Sequence, residues 1–189
     1  MTKRFSTFLL CLGLGICINT HAQSQSFLIL GDIHYDLLEN HDMEWLQKKP
    51  DDLRQVTTEY TQFTKKNWPA FSKQLRNRVK TYKPEIKAIL QLGDISEGLA
   101  GSEQKTEQMA QSVVKAVDAV AMSIPWIITK GNHDITGPGA QEAFIKYYIP
   151  MFQKQLDRTD IASANYAHQI GENLFVCFDP WEKKIDVLE

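Results

Sequence analysis

Three short apolar runs, each ending in a glycine and a cluster of metal-binding side chains, restrict this chain more than any other feature. Phe27-Leu28-Ile29-Leu30 leads into Gly31-Asp32-Ile33-His34. Ile89-Leu90-Gln91-Leu92 leads into Gly93-Asp94-Ile95-Ser96-Glu97, and Ile124 to Thr129 leads through Lys130 into Gly131-Asn132-His133-Asp134. Runs this short, bounded by turn residues, read as buried strands. A carboxylate, an amide or an imidazole then stands just past the C-terminal end of each strand. In open α/β sheets that edge is where ligands bind. Carboxylate and amide oxygens with imidazole nitrogens form a donor set suited to Mn, Fe or Zn.

The segments between the runs carry helical periodicity. Val56, Tyr60 and Phe63, then Phe71, Leu75, Val79 and Tyr82, recur at helical spacing, with Asp51-Asp52 at the start. Pro69 interrupts that series, so the expectation is two helices, or one with a break near Asn67-Trp68. A helix is expected from about Ser102, as N-cap, to Met122, with Met109, Val113, Ala116, Val117 and Val120 on its apolar side. A short helix is expected over Ala140 to Tyr148, ending before Pro150. Residues Ala164 to Ile170 and Leu174 to Phe178 flank Gly171-Glu172-Asn173 and read as a hairpin. Strand–helix alternation followed by a hairpin gives a layered α/β fold.

The N-terminus reads as a signal peptide. Lys3 and Arg4 precede a charge-free apolar stretch from Phe5 to Ile18, and Thr20-His21-Ala22 supplies a small-residue cleavage site. Residues 1–22 are therefore expected to be removed and residues 23–189 to form one domain, secreted or periplasmic. Cys11 and Cys17 leave with the signal, so Cys177 is expected as a lone buried thiol. Losing Lys3 and Arg4 makes the formal net charge of −2 only slightly more negative. No basic cluster marks a nucleic-acid partner. No second segment approaches transmembrane length. Other hydrolytic chemistries lack their motifs: there is no Gly-x-Ser-x-Gly elbow, no Gly-x-x-x-x-Gly-Lys loop and no paired-cysteine zinc site.

In order and spacing, Asp32-x-His34, Gly93-Asp94-x-x-Glu97 and Gly131-Asn132-His133-Asp134 resemble the motifs of the calcineurin-like metallophosphoesterases. The resemblance runs from Phe27 to about Trp181 and implies an α/β/β/α sandwich with two divalent metal ions (Mn, Fe or Zn) acting on a phosphate ester. By position it makes Asp32 and His34 ligands of the first metal, Asp94 a bridge and Asn132 a ligand of the second. It puts His133 over the substrate as a catalytic group and makes Asp134 its orienting carboxylate.

The family's three later histidine ligands find no match. After Asn132 the only histidines are His133 and His168. The resemblance thus implies a site with its C-terminal half and part of its second sheet missing, holding one metal or none stably. The expected partner is a small-molecule or nucleotide phosphate ester. The alternative is a non-catalytic remnant that binds one metal or a phosphorylated ligand. His41 is expected in a solvated polar excursion and His168 on a strand surface. Trp45, Trp68 and Trp181 are expected to serve packing.

Overall fold

The computed structural model describes residues 24–120 and 122–182; the expected signal peptide, residues 1–22, lies outside them. Strand β1 (Ser26–Leu30) pairs parallel with β2 (Ile86–Gln91), and β2 pairs parallel with β3 (Trp126–Ile128). Parallel neighbours need long crossovers, which helices supply. Between β1 and β2 lie α1 (Met43–Leu46), α2 (Pro50–Gln55) and α3 (Thr61–Thr81); between β2 and β3 lies α4 (Glu103–Val120). All three strands therefore finish at the same sheet edge.

Helix α3 contradicts the expected break at Pro69: it runs unbroken through that residue. Lys65, Lys66, Asn67, Pro69 and Ala70 are all exposed, so water can hydrate the carbonyl left without a donor by the proline ring. The irregularity falls instead at Val56–Tyr60, a π turn joining α2 to α3. The expected stop before Pro150 is also absent. A π turn at Phe144–Tyr148 joins α5 (Ala140–Ala143) to α6 (Ile149–Leu156), and Pro150 follows directly on it. There the Ile149 N–H already bonds the Phe144 carbonyl five residues back, and the regular ladder is interrupted.

Strands β4 (Tyr166–Ile170) and β5 (Asn173–Cys177) form the expected hairpin, which is the whole second sheet among the described residues. Asn173 pairs with Ile170, leaving Gly171-Glu172 as the turn, with Gly171 at φ +60°. Side chains alternate along β1. Phe27 meets Phe175 of the hairpin edge-on at 4.9 Å, while Leu28 and Leu30 turn toward Phe71 and Leu75 of α3. The hairpin is pinned to β3 by one hydroxyl: Tyr166 donates to the Ile128 carbonyl (2.8 Å) and accepts from its N–H (2.9 Å).

The core gathers Ile89, Val113, Val117, Trp126, Phe152 and Tyr166 between these layers. Cys177 is buried beside Tyr166, and burial pushes its thiol pKa up, as suits an inert thiol. No helix among the described residues is long and apolar enough to cross a membrane.

Candidate metal centre

Past the strand ends, the backbone keeps the first two loops paired. The His34 N–H donates to the Asp94 carbonyl (2.9 Å) and the Tyr35 N–H to the Ile95 carbonyl (2.8 Å). The buried Gln91 side chain closes the same junction, donating to the Gly93 carbonyl (2.6 Å) and the Gly31 carbonyl (3.3 Å). His34 and Asp94 are both left-handed, at φ +44° and +49°. For residues with a Cβ that conformation costs about 1–2 kcal/mol each and is held only by strong surroundings.

The third loop joins the second through bare backbone. A Cβ on Gly131 would overlap the Asp94 nitrogen and carboxylate, and one on Gly98 would overlap the His133 carbonyl. The His133 N–H donates to Asp94 Oδ1 at 2.8 Å.

This stitching brings one ligand atom each of His34, Asp94 and His133 within 4.8 Å of one another. Glu97 stands behind them, fully buried. Its Oε2 holds His34 Nδ1 at 2.7 Å, and its backbone carbonyl holds His133 Nδ1 at 2.7 Å. Both imidazoles thereby keep Nε2 for an occupant. Burial works against a charged His34. The Glu97 hydrogen bond and the carboxylates of Glu97, Asp94 and Asp32 outweigh it and hold the pKa above the usual imidazole value. Burial pushes the Glu97 carboxyl up, against the pull of His34 and His133.

The other Glu97 oxygen, Oε1, lies 3.7 Å from His133 Nδ1 and is buried without a hydrogen-bond partner among the described residues. Two imidazole nitrogens and a carboxylate oxygen, gathered in front of Glu97, make a fitting cradle for a divalent cation.

Asp134 does not touch the His133 ring, contrary to the role expected from sequence. Its Oδ1 accepts from the Ser96 N–H (2.9 Å) and hydroxyl (3.0 Å), and its Oδ2 accepts from the Gly131 N–H (2.9 Å). It is a clamp between two loops, and the Glu97 carbonyl orients His133 instead. Burial pushes the Asp134 pKa up to about 6, only partly offset by those three bonds, with the Asp94 charge adding to the rise.

Of the other expected ligands, Asp32 and Asn132 are exposed on the rim, and Asp32 lies outside the close-set group. Their side chains make no hydrogen bond among the described residues. His41 is not solvated: it is buried, with Nε2 2.7 Å from Asp36 Oδ1 and Nδ1 3.1 Å from the Leu99 carbonyl. The polar excursion folds back as α1, capped by Asp42, and carries His41 inward. His168 sits on β4 opposite Phe175 and is not in the close-set group.

Sequence reasoning gave no role to Glu97, to the buried Asp36–His41 pair or to Tyr60, whose ring lies on the His34 imidazole with centroids 4.8 Å apart. Glu97 was legible as the last member of Gly93-Asp94-x-x-Glu97. The Asp36–His41 pair and Tyr60 carried no local signal, because a His in a polar stretch reads as solvated and a Tyr at helical spacing reads as core.

The profile of the calcineurin-like phosphoesterase family matches residues 26–184, and the chain belongs to that family. No curated protein matches it.

Proposed function

We propose that this protein is a metal-dependent phosphoric ester hydrolase whose centre is built on His34, Asp94 and His133. The convergence of those three donors at one sheet edge, backed by Glu97, carries the reading. A divalent ion held by these residues would supply Lewis acidity toward a phosphate oxygen and would make water acidic enough to ionise near neutral pH. Glu97 fixes the His34 tautomer, and Asp94 keeps Oδ2 free while Oδ1 accepts from His133. Asp32 and Asn132, exposed on the rim with no side-chain bond among the described residues, are the residues that would hold a second ion.

His133, its Nδ1 held by the Glu97 carbonyl, offers Nε2 to the same space as the third donor of the centre. The substrate class is a small-molecule phosphomonoester or diester. The charge-free run Phe5 to Ile18 supports export to the periplasm or beyond, with cleavage after Ala22; N-terminal sequencing of the exported protein tests that.

A second reading, one bound metal without turnover, is favoured by there being a single group of three such donors among the described residues. Hydrolysis of p-nitrophenyl phosphate and its bis-ester with Mn²⁺ or Zn²⁺ separates the two. Under the first reading turnover appears with metal, and His133→Gln lowers metal affinity and turnover together. Folded protein that binds one equivalent of metal and turns over neither ester establishes the second reading.

A further inference from the structure

The π turn at Val56–Tyr60 is the one irregularity in a helical stretch that otherwise runs from Pro50 to Thr81, and it lies beside the metal centre. Single π turns inside α-helices occur often at functional sites, because the extra residue re-aims a side chain. Here the local chemistry supports the wider turn: the Thr61 N–H and hydroxyl both donate to the Val56 carbonyl, five residues back, the hydroxyl at 2.8 Å. Val56 and Thr61 are both buried. In a regular α-helix residues five apart stand about 140° around the axis from each other, so the two could not share one buried face.

The residue that emerges from the turn is Tyr60. Its ring lies on the His34 imidazole, centroids 4.8 Å apart and planes 25° from parallel. His34 is then held on three sides: by Tyr60 on one face, by the Glu97 carboxylate at Nδ1 and by the edge-on His133 ring at 4.7 Å. The Glu97 bond alone fixes one atom of the imidazole and leaves the ring free to tilt about it. A stacked neighbour removes that freedom.

We propose that Tyr60 is a positioning residue for the metal centre. Delivered by the π turn, it sets the plane of the His34 ring so that Nε2 faces Asp94. It acts through its ring: the hydroxyl makes no hydrogen bond among the described residues. The proposal rests on the metal-centre reading above and adds to it a support drawn from outside the three loops.

The test uses the full-length chain and its Tyr60→Phe and Tyr60→Leu variants, with Zn²⁺ and Mn²⁺ titrated calorimetrically and the His34 ring protons followed by NMR before metal is added. The wild-type ring protons should lie upfield of those of His168, as a stacked aromatic requires. Tyr60→Phe should keep that displacement and bind metal within about twofold of wild type. Tyr60→Leu should lose the displacement and bind about tenfold more weakly, the scale on which supports of ligating histidines act.

Unchanged affinity in folded Tyr60→Leu overturns the proposal, as does Tyr60→Phe falling as far as the leucine variant. If Tyr60→Leu does not fold, the wild-type shift and the phenylalanine variant decide. A wild-type chain that displays the upfield shift yet takes no metal overturns the metal-centre reading, leaving the stack a packing contact and the proposal refuted for that separate reason.

Discussion

The inner wall of the centre and its outer rim are built on opposite terms. On the wall, Glu97 and Asp134 are buried, and between them they hold His34, Ser96 and Gly131 through side-chain bonds of 2.7–3.0 Å. On the rim, Asp32 and Asn132 are exposed and make no side-chain bond among the described residues. The wall fixes geometry before anything binds, at the expense of burying carboxylates. The rim is left free to respond to what binds. A change in the wall should therefore register in folding as well as in metal affinity, whereas a change in the rim should register in ligand chemistry alone.

The largest effect should come from the bare backbone that lets the loops meet. Gly131→Ala forces a methyl into the Asp94 backbone and carboxylate, and we expect a loss of about 3 kcal/mol or more in denaturant unfolding, with metal uptake abolished.

Next comes pH. The Asp134 carboxyl is raised from 3.8 to about 6 in the folded chain, so the folded state binds the proton more tightly than the unfolded state. The stability it contributes is complete below pH 4 and is lost as pH rises through about 6, on the order of 3 kcal/mol in all. Denaturation of metal-free protein between pH 4 and 7 should display this decline, and Asp134→Asn should flatten it.

Glu97→Gln keeps the shape of the wall but removes the charge that holds His34 Nδ1, and calorimetry should find metal affinity about tenfold lower. At the rim, Asp32→Asn and Asn132→Ala should change stability by no more than about 0.5 kcal/mol. Large destabilisation by either rim change, or none from Gly131→Ala, would erase the contrast.

The same contrast marks what could be read in the sequence. The α/β layering was legible because its strands are short unbroken apolar runs alternating with helical stretches, and the site's location followed from what stands at their ends. The rim and wall residues inside the three motifs were named from their order. Their partners were not, since contacts such as His34–Glu97 or Ser96–Asp134 join positions dozens of residues apart and depend on how the loops cross. Pro69 misled because its effect depends on which side of α3 it occupies, and here that side is solvent. His41 misled because α1 folds a polar stretch inward.

The central claim is that three loops of this family member form a divalent-metal centre through Asp94. Calorimetric titration of the full chain with Zn²⁺, beside Asp94→Asn, tests it most directly. The account predicts saturable binding by the wild type, together with a higher unfolding midpoint that EDTA reverses, and loss of both in Asp94→Asn. A folded wild-type chain that binds no metal, or an Asp94→Asn variant that binds it equally well, would contradict the account.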